Sequence, residues 1–407
     1  MGFYEDQHKA GYPLVIFGAS ILGEVALKAL AISGLHPVCF GDNDREKQKK
    51  LFHGYPVYGM DELQSKYPAA IIVIAAGRYY DKIYDQISRG GYRQIYSEAD
   101  IINQTNFTAV PYNQIKGILW RLAQLGHLSK IQNIPQEALH LERLNIVVTK
   151  RCTLNCRHCS SLMPFYNNPH DCDTELLLES IERILACIDF IYHVEVLGGE
   201  TFMNRDLPLI IKKLTQSKNI LQIDIITNGT IVPRQDLLDY LKHDNICVVV
   251  NDYGPLSNKK NLLLDALNKA GIKNRQNKHW AWSDLGTFEP RHRCEAGLTS
   301  LFQKCNFNKC SELLDGMLYR CPRSSHGTNT GLIPKYTADF FNVMDLSVKT
   351  DILKKCLRAF FHNIQFIHAC DHCNGNTDDS LNLIPAEQLT QGECQLPVKK
   401  NAVPVEV

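Results

Sequence analysis

The chain has 407 residues, with 44 Lys plus Arg against 43 Asp plus Glu; two or three domains are expected, each large enough for its own core. That charge balance offers no footprint for nucleic acid or an anionic membrane, and the longest apolar run, AAIIVIAA at 69–76, is too short to span a bilayer. The start MGFYEDQHKAG lacks a signal peptide's apolar stretch, and Asp6 stands where a myristoylation signal has Ser or Thr, so the expectation is a soluble, cytoplasmic protein with no nucleic-acid or membrane partner.

Residues 13–97 read as a small α/β unit. PLVIF, PVCFG, AIIVIAA and RQIYS are strands, and ILGEVALKALAIS and DKIYDQISRGG are helices between them. Strands alternating with helices predict a parallel sheet, here a Rossmann-like domain over 1–105. The first turn, GASILG, has Gly18 and Gly23 but Ser20 where a dinucleotide fingerprint wants its second glycine. Asp42 and Asp44 follow the second strand, about where a ribose would be bound. Gly18, Ser20, Gly23, Asp42 and Asp44 are therefore candidate nucleotide-binding residues. A purely structural or assembly role for this domain is the other reading. Residues 106–143 carry helical signals such as IKGILWRLAQLG and read as a helical connector.

A second βα series opens at LNIVVT (144–149). A helix over about 174–189 has an apolar stripe at 177, 181, 184, 185 and 188. Strand HVEVL (193–197) runs into GGET, strand LQIDII (221–226) into TNGT, and strand ICVVV (246–250) into NDYG, with helices between and Ser257 a candidate cap for the last of them. Right-handed crossovers make such a series curl into a partial barrel, with the loops after the strands on one face. The loop after 149, Gly198–Glu200, Thr227–Gly229 and Asn251–Gly254 should converge there.

The cysteines are unevenly spread. Of 15, only Cys39 precedes residue 150, and three fall within TKRCTLNCRHCS at 149–160. Clustering in a cytosolic chain favours metal or cluster ligation over disulfides. Cys39, Cys187, Cys247 and Cys356 lie in apolar stretches and read as core thiols. Cys172 and Cys394 carry no assignment, and Cys294 reads as a bystander.

The motif CTLNCRHC, followed by GGE and then TNG at successive strand ends, resembles the Cys-x3-Cys-x2-Cys signature and later motifs of the radical S-adenosylmethionine (radical SAM) superfamily. The resemblance covers about 144–290. It implies a 4Fe–4S cluster on Cys152, Cys156 and Cys159, whose fourth iron binds S-adenosylmethionine and reduces it to a radical that abstracts hydrogen from substrate. It implies backbone approach to the cofactor at Gly198 and Gly199, an ammonium acceptor in Glu200, a carboxylate or ribose contact from Asn228, and a place beside the adenine for His158. An external electron donor such as flavodoxin or ferredoxin follows.

Downstream, CNFNKCSELLDGMLYRCP (305–322) and CDHC (370–373) resemble the SPASM and shorter twitch domains that follow many radical SAM cores. This implies a second, auxiliary 4Fe–4S cluster in a twitch-like domain over 291–376, ahead of a tail at 377–407. Its four ligands come from Cys305, Cys310, Cys321, Cys370 and Cys373. The preferred set is Cys310, Cys321, Cys370 and Cys373, with Cys305 the first substitute; a four-thiolate zinc site is the alternative. The N-terminal unit resembles nucleotide-sugar-binding domains. Together these imply an oxidoreductase or lyase acting on a small molecule, a sugar or nucleotide sugar. A SPASM-type peptide maturase is the first alternative, and a non-catalytic iron–sulfur or zinc protein the second.

Overall fold

A computed structural model describes residues 3–4, 11–125, 138–362 and 364–390; Asp6 and Cys394 lie outside them. The chain divides into two compact units, residues 1–136 and 137–407.

The first unit is built on a six-stranded sheet in the order β3-β4-β2-β1-β5-β6. Its centre, β1 (Leu14–Phe17) and β5 (Ile71–Ile74), is buried at every position. Such uninterrupted apolar runs suit parallel strands covered on both faces. β2 (Cys39–Gly41) and β5 flank β1 in parallel, and β6 (Ile95–Ser97) pairs parallel with β5. Helices α1 (Ile21–Ile32), α2 (Met60–Lys66), α3 (Tyr80–Arg89) and α4 (Glu98–Gln104) fall between or after the strands. Ser97 caps α4 in a reciprocal capping box with Asp100. One piece went unread in the sequence: a hairpin of β3 (Leu51–Phe52) and β4 (Tyr55–Tyr58), with β4 added in parallel to β2. Two short helices, α5 (Tyr112–Ile115) and α6 (Leu119–Gln124), follow.

The second unit holds an eight-stranded sheet in the order β11-β10-β9-β8-β7-β13-β14-β15. Strands β7 (His140–Thr149), β8 (Phe190–Gly198), β9 (Ile220–Thr227), β10 (Ile246–Asp252) and β11 (Asn274–Lys278) run parallel. The intervening helices are α7 (Thr174–Cys187), α8 (Leu207–Thr215), α9 (Gln235–Leu241) and α10 (Lys260–Lys269). Alternate residues Leu144, Ile146, Val194, Val196, Ile223, Ile225, Val248 and Val250 join the helices in one apolar core.

On the far side of β7 the sheet continues into the region of the second cysteine group. β13 (Cys310–Leu314) pairs parallel with β7, and β14 (Met317–Tyr319) and β15 (Phe340–Asn342) add antiparallel. The expected boundary at 290/291 therefore falls inside one continuous sheet. After β12 (Trp282–Ser283) come helices α11 (Glu295–Lys304), α12 (Pro322–Thr330) and α13 (Thr350–His362). β16 (Asn382–Leu383), from the expected tail, pairs with β12.

The residues between the core positions make the other face of the sheet polar. Register places Glu312, Asn145, Glu195, Asp224 and Cys247 in one row across five strands, and Cys310, Arg143, His193 and Gln222 in a second. Neutralising partners sit within and beside these rows. Arg143 lies 3.7 Å from Glu195, the His193 Nε2 lies 2.9 Å from an Asp224 oxygen, and Arg275 donates to Asp224. Asp224 is fully buried, yet its carboxyl sits below the usual range: burial pushes it up, and His193 and Arg275 prevail.

Candidate active site

The C-terminal ends of β7, β8, β9 and β10 carry the loops that the motifs occupy. The loop after β7 is held first by Arg151, whose guanidinium makes a forked pair with Asp171 at 2.7–3.0 Å and also reaches the Met203 carbonyl. Beneath it, Thr149 donates to Asp171 at 2.7 Å, and Lys150, nearly buried, pairs with Asp315 at 2.5 Å.

Each of the three loop thiols faces N–H donors. The Cys152 sulfur accepts from the Leu154 amide at 3.4 Å and from the Asn228 side chain at 3.7 Å. Cys159 receives the backbone N–H groups of Met163, Ser161 and Leu162. Leu162 adopts φ +52°, folding the chain back over that sulfur. Cys156 accepts from Gln388 at 3.2 Å. Burial pushes the Cys152 thiol up to about 12 and Cys156 up to about 11, and raises Cys159 as well. Cys156 is buried and the other two half-buried, and thiols so placed among donors suit thiolates that a metal deprotonates outright. The donor chemistry thus fits a three-thiolate iron–sulfur cluster.

The GGE and TNG loops meet this loop, but by contacts the motifs did not announce. A Cβ on Gly198 would overlap the Thr149 carbonyl, and one on Gly199 the Arg151 carbonyl. The Gly199 and Glu200 amides donate to those same carbonyls at 3.1 and 2.9 Å. The two glycines therefore let one loop pack onto the backbone of the other. Glu200 is fully buried and accepts from Thr227 at 2.8 Å, from the Asn228 amide at 2.8 Å and from the Phe202 amide at 3.1 Å. Burial raises its carboxyl to about 7, against the pull of those three donors. It ties the GGE loop to the TNG loop, and three of its roughly four acceptor positions are committed.

Asn228 donates to Thr153 at 3.0 Å while its oxygen accepts from Thr230. Ser257, expected as a helix cap, instead donates to the Asn228 carbonyl at 2.7 Å and accepts from the Tyr253 amide at 2.9 Å. His158 is part-exposed, with Nε2 3.7 Å from Glu387. Tyr253, in the NDYG loop, received no role from the sequence. Its hydroxyl is held protonated by burial and by the neighbouring Cys156, Cys159 and Cys152, and its ring stacks on His279 with centroids 5.6 Å apart. An aromatic at a strand end beside the cysteine loop was the available signal.

The second cysteine group resolves differently from the expected set. Cys305, Cys321, Cys370 and Cys373 line one cavity with Phe302, Ile367 and Ala369. Cys310 does not line it. That thiol belongs to the polar row on β13, 3.6 Å from the Arg143 guanidinium. Cys310 starts a strand whose pleat turns its side chain to the sheet's polar face, whereas Cys305 precedes the strand. Within the cavity, Cys305 accepts from the Asn376 amide at 3.3 Å and Cys373 from the Gly375 amide at 3.2 Å. Buried Arg323 supplies positive charge beside Cys373 and Cys321. Cys294 is exposed. Among the described residues no three His, Cys, Asp or Glu side chains are gathered to hold a single metal ion.

In the first unit the candidate nucleotide residues have internal partners. Asp42 accepts from the Ala19 amide and from Lys47, each at 2.9 Å, and its other oxygen caps the Asp44 amide. Asp44 in turn accepts from the Glu46 amide. Ser20 donates to the Ala75 carbonyl at 3.3 Å. A Cβ on Gly18 would overlap Ala75 and one on Gly23 would overlap Gly18, so both glycines serve close packing. Asp42 puts a carboxylate at the start of α1, where a phosphate would need the positive end of the helix.

Residues 146–251 match the radical SAM superfamily. GTP 3′,8-cyclase of Campylobacter jejuni is 34% identical over 100 residues, 24% of this chain and 30% of that protein. A 7,8-dihydro-6-hydroxymethylpterin dimethyltransferase of Methanocaldococcus jannaschii is 27% identical over 131 residues, 32% of this chain and 26% of that one. The chain thus spans about a third or less of the length of these relatives. A solved structure of BtrN with AdoMet and 2-DOIA overlaps 58% of this chain and 93% of that one, at 13% identity and a TM-score of 0.36. The segment that matches the radical SAM superfamily runs from β7 into β10 and contains all three loop cysteines with the GGE and TNG loops that brace them.

Proposed function

We propose that the protein is a radical SAM enzyme acting on a polar small molecule, a sugar or nucleotide sugar. The observation that carries the reading is the loop of three thiols, Cys156 buried and Cys152 and Cys159 half-buried, each supplied with N–H donors, at the mouth of the parallel strands. Cys152, Cys156 and Cys159 would hold a 4Fe–4S cluster with one iron left for S-adenosylmethionine. When bound, these groups supply hydrogen abstraction from an unactivated C–H bond, with electrons delivered by an external donor such as flavodoxin or ferredoxin. The remaining acceptor position of Glu200 is suited to the cofactor's ammonium, and Tyr253 and His158 border the same loop. Cys305, Cys321, Cys370 and Cys373 would hold an auxiliary cluster. The polar rows of the sheet face, where Glu195 and Asp224 are paired with Arg143, His193 and Arg275, support a hydroxylated substrate. In residues 1–105 Asp42 is already engaged by the Ala19 and Asp44 amides and by Lys47, which opposes a ribose role for it.

The test is anaerobic reconstitution with iron and sulfide, followed by reduction in the presence of S-adenosylmethionine. Two clusters require about eight irons per chain. Formation of 5′-deoxyadenosine, with deuterium transferred from a labelled sugar or sugar nucleotide, supports the proposal. Replacing Cys152, Cys156 and Cys159 together by Ala should remove about half the iron and abolish cleavage. Cleavage surviving in that variant would overturn the site, and deuterium arriving only from a peptide would overturn the substrate class.

A further inference from the structure

The segment that follows β16 returns to the cysteine loop and pairs with it. Cys156 and Gln388 form an antiparallel bridge. The Arg157 amide donates to the Glu387 carbonyl at 2.7 Å, and the Leu389 amide to the Asn155 carbonyl at 2.8 Å. Side chains add to the seam: Arg157 Nε meets Glu387 at 3.1 Å. A loop that binds a cofactor on one side is thus held from the other by residues more than 200 positions later.

The orientation of the Gln388 amide follows from its partners. Its Oε1 accepts from the Asn155 amide at 2.8 Å, and a backbone N–H can only donate. The nitrogen therefore occupies the other end. Nε2 donates to the Ala386 carbonyl at 2.7 Å and to the Cys156 sulfur at 3.2 Å. Both of its hydrogens are placed. Ala386 itself is buried at φ +57°, a left-handed conformation that is unfavourable for a residue with a Cβ. The bond from Gln388 to its carbonyl holds that turn and so fixes the amide's aim.

We propose that Gln388 is a positioning residue for the cluster-binding loop, whose N–H on the Cys156 thiolate raises the reduction potential of the cluster held there. This rests on the radical SAM reading above. Reduction adds negative charge that the ligating sulfurs share. An N–H dipole pointed at one of them stabilises the reduced state more than the oxidised one. The other two thiols take most of their donors from their own loop; Cys156 takes this one from a segment distant in sequence.

The experiment uses the full chain, reconstituted anaerobically, in wild-type, Gln388→Met and Gln388→Glu forms. Met keeps the length and removes the donor. Glu keeps the acceptor for Asn155 and loses the N–H to both Cys156 and the Ala386 carbonyl, so iron content is read beside the potential in each variant. The midpoint potential is read by redox titration under electron paramagnetic resonance, using the signal that S-adenosylmethionine perturbs. A shift to lower potential in both variants, with iron content unchanged, is the expected result. A role confined to folding would lower iron occupancy and leave the potential of the retained cluster unmoved. Wild-type potential in both variants overturns this inference and leaves the proposed function standing. A wild-type chain whose loop takes up no iron overturns both.

Discussion

Glu312 and His326 face each other with both side chains fully buried, a carboxylate oxygen 3.2 Å from Nε2 but without the alignment of a hydrogen bond. The imidazole's Nδ1 meets the Tyr166 hydroxyl at 2.7 Å, and Glu312 accepts from Ser325 and, at 3.3 Å, from Asn145. Burial raises the carboxyl to about 7 and lowers the imidazole to about 3. Below about pH 7 both groups are thus neutral, as desolvation demands of charges without full compensation.

This pair has a definite effect on stability. Between about 4.5 and 6.5 the folded state carries a proton on Glu312 that the unfolded state lacks, while the unfolded state carries one on His326 that the folded state lacks. The two contributions to the pH slope cancel. Glu312→Gln removes one of them. Relative to wild type, its unfolding free energy should rise with pH across that window, by up to about 1.4 kcal/mol per pH unit. A stability difference between the two proteins that does not change from about pH 4.5 to 6.5 would show that Glu312 is not held protonated in the folded state.

Cys305→Ala and Cys310→Ala separate the two ligand sets. The first should lose iron from the auxiliary cluster, since Cys305 lines the cavity with Cys321, Cys370 and Cys373. The second should keep its iron, because Cys310 faces Arg143. Iron analysis of the reconstituted variants decides, and a reversed pattern would restore the set first read from the sequence.

Gly199→Ala places a methyl group against the Arg151 carbonyl and the Cys152 Cβ. Neither neighbour is a flexible side-chain end. The backbone must shift, at about 1–3 kcal/mol, and the cysteine loop shifts with it. The variant should unfold at lower denaturant and take up less iron at the loop. Wild-type values for both would mean that the two loops are not in contact.

Asp42→Ala tests the first unit. Losing acceptors for the Ala19 and Asp44 amides and for Lys47 should destabilise that unit by about 1–3 kcal/mol. Thermal unfolding measures this, and calorimetry with UDP-, GDP-, CDP- and dTDP-sugars asks separately about nucleotides. An undisturbed unit that loses binding of one of these ligands would return Asp42 to the ribose role.

Elements whose signal is local were legible. The apolar runs at 71–74 and 246–250 and the stripe along 174–187 follow from burial of adjacent residues, and the cysteine spacing at 152–159 follows from a single loop. The hairpin at 51–58 was missed because its short strands carry no period long enough to read.

Pairing across long separations was not legible. Whether a cysteine joins the cavity or the polar row depends on which way a pleat turns at Cys310. Which carboxylate can meet a ligand depends on whether amides such as those of Ala19 or Asn228 have already claimed it. Gln388 lay in what read as a tail, because no spacing rule connects it to Cys156. Composition and periodicity alone determined an α/β chain with a cysteine loop at the ends of parallel strands, since those properties are set by neighbouring residues. Only the tertiary structure decided which thiols converge, which polar groups remain available and what donates to each sulfur, because hydrogen bonds and steric contacts of a few ångströms are made between residues that chain order does not relate.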